Sequence, residues 1–537
     1  MAGTDEESGD SEGRQEGRVY LTQALHRAVQ QHPCRIATSC GGRQHTYREF
    51  ADRVARLAGG FQRLGMQTGG RVAILALNSD RYLEYLMAVP WGGGVLNPCN
   101  TRWSAAEILY SLEDSGSSIL VVDEAYRPMV EQFRRDSSAL REVVYCGEGD
   151  VPADMHGYEA LLAGGDAVPD VVRRGEDLAG IFYTGGTTGF PKGVMLSHTN
   201  LCTSALALKA DGAAAPGGNC LHAAPMFHLA DLGFGMAHWV EGNTHTVVPA
   251  FDPELVLDTL ERDRVTHTIL VPTMIQMLVD HPSMKKGRDL SALQTIVYGA
   301  SPISDALLDR AIAAFPGVGF MQAYGMTELA PLATINPAYY HTAEGRKHGK
   351  LRSAGRASYC VELRIVDEYG CEVPRGTVGE VAVRGANVMQ GYWNKPEQTA
   401  MAVRDGWMHT GDGAWMDEDG FIFIADRLKD MIISGGENVY SAEVENAVAT
   451  HPAVAACAVI GIPSERWGET VHAVVVRKAG QDVSADELLA HCKSLIAGYK
   501  CPRSVSFVEA LPMSGAGKVL KNRLREPFWR GFDRTVA

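Results

Sequence analysis

The stretch that decides the fold runs Tyr183-Thr-Gly-Gly-Thr-Thr-Gly-Phe-Pro-Lys-Gly193, and it lies between the apolar runs Ile181–Tyr183 and Val194–Leu196. It contains four glycines, three threonines and one lysine. Glycine lets the backbone bend so that successive N–H groups can turn toward an anion. Threonine hydroxyls and a lysine ammonium add donors that suit phosphate oxygens. We therefore expect a mobile hairpin loop that binds the phosphates of a nucleoside triphosphate.

Two common nucleotide-binding loops do not fit this stretch. A Walker A loop has Gly-Lys followed by Ser or Thr at a strand-to-helix turn, whereas Lys192 stands between Pro191 and Gly193. The GxGxxG fingerprint of dinucleotide-binding proteins is also absent from the stretch. An ordinary glycine-rich turn is the remaining alternative, and the density of phosphate donors argues against it.

Composition indicates a large enzyme with no nucleic-acid partner. The chain has 537 residues, enough for more than one domain, with 45% hydrophobic residues and a formal net charge of -14. Residues 1–17 hold six acidic side chains against Arg14, so we expect a disordered acidic tail there. This tail lacks the basic and apolar regions of a signal peptide, and no apolar run of about 18 residues predicts an integral membrane segment.

The eleven cysteines are scattered and form no CxxC motif, which is typical of reduced thiols in a cytoplasmic protein. The sequence leaves the oligomeric state open, with a homodimer as one option.

The order of apolar runs predicts an α/β fold with two domains. Strand-like runs alternate with helix-like runs from about Val19 to Asp426, which favours layered α/β sheets with mainly parallel strands. Val361–Arg384 predicts a small β subdomain. The residues after Asp426 predict a small, mobile α+β domain, and the second of its two predicted helices spans Ala485–Ile496. We expect an N-terminal domain of residues 18–428 and a C-terminal lid domain of residues 429–537, with a hinge near Lys429.

Other motifs carry groups that suit nucleotide chemistry. Tyr324-Gly-Met-Thr-Glu328 follows an apolar run, so its hydroxyl and carboxylate are expected at the carboxyl end of a strand, where they suit an α-phosphate and Mg²⁺. Asp412 follows a glycine and offers a carboxylate for ribose hydroxyls. Arg427 could reach the same ribose or form a surface salt bridge. Lys518 lies on a glycine-flanked loop, where a solvated surface lysine is the alternative.

Together these motifs resemble the adenylate-forming superfamily, which includes acyl-CoA synthetases, firefly-type luciferases and adenylation domains of peptide synthetases. The resemblance to acyl-CoA synthetases covers about Val19 to Arg525. It includes the segments Asn97–Arg102, Gly391–Asn394 and Ile433–Asn438. It implies the use of ATP, Mg²⁺ and coenzyme A, with a small-molecule carboxylic acid as the substrate.

The resemblance also implies roles for matching positions. The glycine-rich loop would hold the β- and γ-phosphates of ATP through Thr184, Gly185, Gly186, Thr187, Thr188, Gly189 and Lys192. The nucleotide and the adjoining acyl group would be contacted by Gly299, Ala300, Ser301, Ala323, Tyr324, Gly325, Met326, Thr327, Asp412 and Arg427. Among these, Tyr324 would stack on adenine and Thr327 would bind the α-phosphate.

The remaining implied roles concern metal, catalysis and domain movement. Mg²⁺ would be bound by Glu328 and Thr184, and the catalytic residues would be Lys518, Glu328, Thr184 and His228. His228 would gate the passage between the acyl and CoA sites.

Lys429 would be the hinge, while Gly435 and Gly436 would line the tunnel for the pantetheine arm of CoA. One departure limits the transfer of roles, because Ile433 stands where some relatives carry a lysine.

The implied reaction is the ATP-dependent ligation of an acid to coenzyme A through an acyl-adenylate. Small residues at Gly299 and Ala300 and the apolar Met274 and Met277 favour an aliphatic or aryl acid in the expected acyl pocket. We expect a medium- to long-chain fatty acid, with an aryl acid as the alternative.

Transfer of the acyl group to a carrier-protein thiol or an amine is a further alternative. A luciferase-like oxygenase has no support in the sequence. A non-catalytic nucleotide-binding protein is disfavoured because Glu328, Asp412 and Lys518 are all present.

Overall fold

A computed structural model describes residues 19–185, 190–301, 303–427, 430–435, 437–464, 466–514 and 518–530, and for Arg427 it describes the backbone only. The α-helices are α1 (Gln23–Gln31), α2 (Tyr47–Arg63), α3 (Asp80–Trp91), α4 (Ala105–Ser115), α5 (Val130–Asp136), α6 (Tyr158–Ala163), α7 (His198–Ala210), α8 (Leu229–Glu241), α9 (Pro253–Arg262), α10 (Pro272–Asp280), α11 (Asp305–Ala314), α12 (Pro396–Ala402), α13 (Ser441–Ala449), α14 (Ala485–Lys493) and α15 (Lys521–Trp529). Short 3₁₀ helices include Arg127–Met129, Pro282–Lys286, Thr327–Leu329, Ala338–His341 and Gly345–His348.

The strands are β1 (Ile36–Cys40), β2 (Arg43–Thr46), β3 (Arg71–Leu75), β4 (Val95–Pro98), β5 (Ile119–Val122), β6 (Glu142–Tyr145), β7 (His156–Gly157), β8 (Leu178–Thr184), β9 (Lys192–Ser197), β10 (Asn219–His222), β11 (Thr244–Val247), β12 (His267–Leu270), β13 (Thr295–Gly299), β14 (Gly319–Gly325), β15 (Leu332–Asn336), β16 (Arg356–Ala357), β17 (Val361–Val366), β18 (Gly379–Gly385), β19 (Gly391–Tyr392), β20 (Val403–Arg404), β21 (Trp407–Met416), β22 (Ile422–Arg427), β23 (Ile432–Ser434), β24 (Glu437–Val439), β25 (Val454–Ser464), β26 (Gly468–Arg477) and β27 (Ser504–Phe507).

The first sheet carries the glycine-rich loop near one edge. Its strand order is β19-β9-β8-β4-β3-β5-β6-β7. Strands β3 to β8 pair in parallel, whereas β9 runs antiparallel to β8 and forms the predicted hairpin with it. Strand β3 is buried from Val72 to Leu75, as expected for a parallel strand covered on both faces. The two strands that flank the loop therefore belong to a well-packed sheet.

The second sheet places the Tyr324–Glu328 motif at the end of a strand. Its order is β16-β15-β14-β13-β12-β10-β11-β1-β2, and the pairs from β14 to β1 are parallel. Strand β14 ends at Gly325, so the motif begins on its last two residues and continues into the short helix Thr327–Leu329. Ligands bind at this carboxyl edge in open α/β sheets.

A third, five-stranded sheet forms the predicted β subdomain. Its order is β17-β18-β21-β20, with β22 also paired to β21. One continuous core joins this sheet to the first two, because buried residues from Leu21 to Ile422 pack together. The subdomain is therefore packed against the body of the N-terminal domain.

The C-terminal part has a sheet and a core of its own. Strands β24-β23-β26-β25 form this sheet, with β27 paired to β26. The fully buried residues of its core all lie between Ile432 and Cys501. The predicted fold class, a large N-terminal domain of layered α/β sheets with a β subdomain and a small α+β C-terminal domain, is confirmed.

The acidic tail 1–17 and the boundary and hinge at 428–429 lie outside the described residues, so they stay predictions, as does the mobility of the C-terminal domain. No helix in the described ranges is long and apolar enough to cross a membrane. The cytoplasmic location also stays a prediction.

Helix boundaries follow the local side chains. Ser484 and Glu487 form the predicted capping box of α14, in which the Ser484 hydroxyl accepts from the Glu487 N–H. The same helix was expected to reach Ile496, and this end is wrong, because α14 ends at Lys493. The Ser494 hydroxyl donates to the His491 carbonyl at 2.7 Å and so satisfies a carbonyl that a longer helix would use.

Candidate active site

The glycine-rich loop is anchored at both of its described ends. Thr184 at the end of β8 lies opposite Lys192 at the start of β9 in the antiparallel register. Gly185 is exposed, whereas Gly186, Thr187, Thr188 and Gly189 lie outside the described residues. Phe190 is 62% exposed, and its ring stacks on Tyr110 with centroids 4.7 Å apart. The hairpin thus holds Thr184 and Lys192 side by side at the mouth of the loop.

Asp114 fixes the base of this hairpin. The Tyr183 hydroxyl donates to Asp114 Oδ2 at 2.7 Å, and the Trp393 indole N–H donates to the Asp114 carbonyl at 2.7 Å. The Trp393 backbone N–H also donates to the Gly193 carbonyl at 2.7 Å. A residue of helix α4 and a segment about 200 residues away from the hairpin therefore hold the two strands in place.

Tyr392 connects the hairpin to Glu328. The Lys192 ammonium lies 4.8 Å from the centroid of the Tyr392 ring, a cation–π contact. The Tyr392 hydroxyl donates to Glu328 Oε1 at 2.8 Å. Burial raises the pKa of Tyr392, and the Glu328 carboxylate raises it further, so this phenol stays protonated and can donate. Sequence reasoning missed Tyr392, although its motif Gly391–Asn394 was one of the matching segments.

The carboxyl end of β14 meets the β subdomain at Asp412. The Tyr324 hydroxyl donates to Asp412 Oδ2 at 2.8 Å, and Asp412 is buried. Asp412 on β21 also lies opposite Arg427 on β22 in the backbone register. Three of the positions predicted to contact the nucleotide are therefore neighbours in the structure.

Small residues in this region are required by close backbone approaches. A Cβ on Gly299 would lie 2.1 Å from the Ala323 carbonyl oxygen, and a Cβ on Gly325 would lie 1.9 Å from the Pro331 carbonyl oxygen. Ala300 has a φ of 66°, a left-handed conformation that is strained for a residue other than glycine and that often occurs at functional sites. Ser301 follows it, while Ala323, Met326 and Thr327 are half-buried around Tyr324.

His228 lies next to the first turn of helix α8 and within reach of the charge of Lys518. His228 is half-buried and immediately precedes Leu229, the first residue of α8. Burial first, and then the positive charges of Lys518 and Arg102, together lower the pKa of His228 to about 4. Lys518 belongs to the C-terminal part of the chain, so a charge of that part acts on a residue of the N-terminal part.

Gly435 is the described half of the predicted Gly435–Gly436 pair. Its φ of 64° is in the left-handed region, and a Cβ there would lie 2.7 Å from Cε3 of Trp467. The Gly435 N–H donates to the Trp467 carbonyl at 2.8 Å. Any side chain at this position would displace the indole. Gly436, Lys429 and the side chain of Arg427 lie outside the described residues.

Comparison with known proteins identifies the family. Residues 25–393 match the AMP-binding enzyme family, and residues 443–518 match the AMP-binding enzyme C-terminal domain. The chain belongs to the AMP-binding enzymes.

This AMP-binding enzyme is 42% identical to the feruloyl-CoA synthase of an Amycolatopsis species over 504 residues, which are 94% of this chain and 98% of that protein. It is 35% identical to ScoC, a fatty acid–[acyl-carrier-protein] ligase of Streptomyces coeruleorubidus, over 520 residues, 96% of this chain and 98% of ScoC. The solved structure of ATP-bound MatB from Rhodopseudomonas palustris matches with a TM-score of 0.86 and 32% identity, covering 96% of this chain and 99% of that one.

The described site residues of this AMP-binding enzyme fall into three connected groups. Lys192, Tyr392 and Glu328 form one, and Tyr324 with Asp412 forms another. Lys518 and His228 form the third, through the effect of the lysine charge on the pKa of the histidine. The described residues thus offer a threonine hydroxyl and a lysine ammonium at the hairpin and a buried carboxylate at Glu328.

Proposed function

We propose that this AMP-binding enzyme, an AMP-forming acid–thiol ligase, joins an aromatic carboxylic acid of the hydroxycinnamic type to coenzyme A. The observation that carries the proposal is the 42% identity to a feruloyl-CoA synthase over 94% of this chain, and the contacts of Lys192 with Tyr392 and of Tyr392 with Glu328 support it. That arrangement suits the adenylation step, in which a cation must meet the reacting carboxylate and phosphate.

The first half-reaction converts a poor leaving group into a good one. A carboxylate oxygen attacks the α-phosphorus of ATP, the bond to the bridging oxygen of pyrophosphate breaks, and an acyl-adenylate forms. Negative charge increases on the phosphoryl oxygens in the transition state, and cations placed in advance stabilise it. Lys518 is proposed to supply such a charge beside the carboxylate, while Lys192, Thr184 and the glycine-rich loop hold the leaving pyrophosphate.

The residues around Glu328 fit a magnesium ion bound with ATP. Glu328 is 7% exposed and offers a carboxylate, the hard oxygen ligand that Mg²⁺ prefers. Tyr392 donates to Oε1, and among the described residues no hydrogen bond occupies Oε2. We propose Glu328 and Thr184 as the residues that hold the ion. When bound, Mg²⁺ neutralises charge on the phosphates.

The nucleoside is proposed to lie along the carboxyl edge of β14. Tyr324 offers an aromatic face for adenine, and Asp412 offers a carboxylate for the ribose hydroxyls. Next to this edge, Gly299 at the end of β13 has no side chain and so lies close to the backbone of β14. Ala300 follows in a left-handed conformation. Thr327 would donate to the α-phosphate from the first position of its short helix. Arg427 is proposed to join Asp412 at the ribose.

The second half-reaction needs a different arrangement of the two parts. The thiol of coenzyme A attacks the carbonyl carbon of the acyl-adenylate, and AMP leaves with the bonding electron pair. We propose that Lys518 blocks the approach to that carbon during adenylation and that the C-terminal part rotates near Lys429 after pyrophosphate leaves. The left-handed turn at Gly435, against Trp467, would then face the pantetheine arm. Burial, the largest cause of the lowered pKa of His228, would keep its imidazole neutral at this stage.

The acid is proposed to be aromatic because the feruloyl-CoA synthase shares 42% identity with this chain over nearly its whole length. The expectation of a medium- to long-chain fatty acid is the second candidate, which ScoC supports at 35% identity. ScoC also supports a carrier-protein thiol as an alternative acceptor. Of the two methionines expected in the acyl pocket, Met274 is buried in the core beneath the second sheet and Met277 is 49% exposed.

A panel of acids and acceptors tests the proposal. Purified enzyme is given MgATP and coenzyme A with ferulic, p-coumaric, cinnamic or benzoic acid, and separately with octanoic, decanoic or dodecanoic acid. We expect AMP and thioester formation with a kcat/KM for ferulic or p-coumaric acid at least about 10-fold above that for any fatty acid, a difference of about 1.4 kcal/mol in transition-state binding. A higher value for a fatty acid would assign the second candidate instead.

The acceptor is tested separately from the acid. Hydroxylamine traps any acyl-adenylate, so it reports the first half-reaction whatever thiol follows. The hydroxamate forms with release of AMP, so coenzyme A is tested in a parallel assay without hydroxylamine. Hydroxamate in the first assay with neither thioester nor CoA-dependent AMP in the second would contradict a CoA ligase and favour a carrier-protein thiol or an amine.

A further inference from the structure

Three side chains of metal-ligand type converge inside the second sheet, away from the site described above. Cys220 and His222 are two residues apart on β10, so their side chains leave the same face of the strand. His245 on the neighbouring strand β11 lies opposite Cys220 in the parallel register. All three are buried, with exposed fractions of 0%, 1% and 0%. The fold therefore brings one thiol and two imidazoles to a single point.

The ligand atoms of these residues are spaced as a tetrahedral metal site requires. His222 Nε2 lies 2.9 Å from His245 Nδ1, and Cys220 Sγ lies 3.3 Å from His245 Nδ1 and 3.7 Å from His222 Nε2. Zinc–nitrogen and zinc–sulfur bonds of about 2.0 and 2.3 Å put two nitrogen ligands about 3.4 Å apart and sulfur about 3.6 Å from nitrogen. Movements of about half an ångström would bring the three atoms to these values.

Asp231 orients one of the imidazoles toward this point. Its Oδ2 lies 2.7 Å from His222 Nδ1, and a proton on Nδ1 leaves the Nε2 lone pair directed at His245 and Cys220. A carboxylate that holds the outer nitrogen of a histidine is the usual support of a metal ligand. On the other side, the His245 ring stacks on Trp239 at 3.9 Å, and its Nε2 has no hydrogen-bond partner among the described residues.

We propose that Cys220, His222 and His245 bind a Zn²⁺ ion, with a fourth position for a water molecule. A donor set of one thiolate and two imidazoles suits Zn²⁺. Cys220 releases its thiol proton on binding, and the thiolate together with the Asp231 carboxylate balances the two positive charges in a buried place. Asp231 Oδ1, which also lacks a hydrogen-bond partner among the described residues, indicates negative charge that the surrounding protein does not fully satisfy.

The site would join β10, β11 and helix α8. Asp231 is in the first turn of α8, three residues after His228, so the ion would fix the start of this helix relative to the sheet. Its role is structural, and it lies outside the proposed reaction. The competing arrangement is a hydrogen-bonded chain in which a proton, and not a metal ion, lies between His222 Nε2 and His245 Nδ1.

Metal analysis of the full chain decides between the ion and the proton. The protein is expressed in zinc-supplemented medium, purified without a polyhistidine tag and dialysed against EDTA, after which zinc is measured by mass spectrometry. We expect about one equivalent of zinc per chain, with X-ray absorption giving one sulfur at about 2.3 Å and nitrogen or oxygen at about 2.0 Å. Protein with no retained zinc, or zinc with no sulfur ligand, would overturn the proposal.

Cobalt substitution with matched variants identifies the ligands. Protein produced with Co²⁺ should show a thiolate-to-cobalt charge-transfer band in the near ultraviolet, which Cys220→Ser should abolish. Cys202→Ser, which removes another buried thiol, should keep the band. Persistence of the band in Cys220→Ser would contradict the assignment. If Cys220→Ser does not fold, His222→Gln and His245→Gln replace it, and one equivalent of zinc retained by a folded form of either would contradict the assignment.

Discussion

The Tyr324 hydroxyl donates a 2.8 Å hydrogen bond to Asp412 Oδ2. Tyr324 belongs to β14 of the second sheet, and Asp412 belongs to β21 of the β subdomain, so the bond crosses between two units of the N-terminal part. In the proposed function Tyr324 lies on adenine and Asp412 binds ribose. The bond therefore fixes the distance and angle between two contacts with one nucleoside, before that nucleoside arrives.

Tyr324→Phe tests this role of the bond. The variant keeps the aromatic face and loses the donor, so the contact that turns Asp412 toward the ribose is lost. A hydrogen bond to a charged group contributes about 1.5–3 kcal/mol, and we expect the KM for ATP to rise by about 10-fold or more, with a smaller change in the KM for the acid. Steady-state kinetics with each substrate varied in turn measure both values.

The control for Tyr324→Phe is Tyr82→Phe. Tyr82 is a buried tyrosine whose hydroxyl has no hydrogen-bond partner among the described residues, so its removal should leave both KM values unchanged. An unchanged KM for ATP in Tyr324→Phe would contradict the proposed orientation of Asp412.

Tyr392→Phe tests the connection between the glycine-rich loop and Glu328. The ring remains beside Lys192, but the hydrogen bond to Glu328 Oε1 is lost. We expect the Mg²⁺ concentration needed for half-maximal activity to rise by about 10-fold, because a freely rotating carboxylate holds the ion less well. Glu328→Gln and the double variant complete a double-mutant cycle, and the two effects should be strongly non-additive. Additive losses would place Tyr392 and Glu328 in separate roles.

Local patterns in the sequence were enough to predict the α/β fold class, the hairpin and the start of α14. The flanks of the glycine-rich loop predicted a hairpin, and β8 and β9 form one. Ser484 and Glu487 predicted the start of α14, since a capping box depends on residues only three positions apart. The end of α14 was predicted too late, because the Ser494 side chain competes for a helix carbonyl.

Contacts between distant segments could not be read from the sequence in the same way. Tyr392 reaches Glu328 because β19 pairs with β9, and no local pattern gives that pairing. Gly299 was interpreted as room for an acyl chain, whereas in the structure its missing side chain allows β13 and β14 to approach. The cysteines were interpreted as scattered thiols, and the register of β10 with β11 is what brings Cys220 to His245.

His341→Gln tests the cost of burying a neutral histidine. The pKa of His341 is lowered to about 4, mainly by burial and also by the charge of Arg346, while the hydrogen bond with the Pro337 carbonyl acts to raise it. The unfolded chain takes up this proton near pH 6.5, so wild-type stability should fall as the pH drops from about 6.5 to 4. The variant lacks this loss, and we expect its free energy of unfolding relative to wild type to improve by roughly 3 kcal/mol over that range.

Urea unfolding of both proteins at several pH values measures this difference. The glutamine amide of the variant can still accept from the Tyr298 hydroxyl, which lies 2.9 Å from His341 Nε2 in the wild type, so the comparison is dominated by the proton. A difference in stability that stays constant from pH 6.5 to 4 would contradict a lowered pKa at His341.

Lys518→Ala separates the two half-reactions. The charge of Lys518 contributes to the lowered pKa of His228. In the proposed function the same charge stabilises the transition state of adenylation. Loss of such a charge costs hundreds-fold or more in rate, so acid-dependent exchange of pyrophosphate into ATP should fall by at least about 100-fold. Thiolation of a supplied acyl-adenylate should be nearly unchanged, because the lysine must leave the site before the thiol approaches.

Lys493→Ala is the matched control. It removes an exposed lysine of α14 and should keep both activities. Equal loss of pyrophosphate exchange and thiolation in Lys518→Ala would mean that the lysine serves both steps, and the proposed rotation of the C-terminal part would then be wrong.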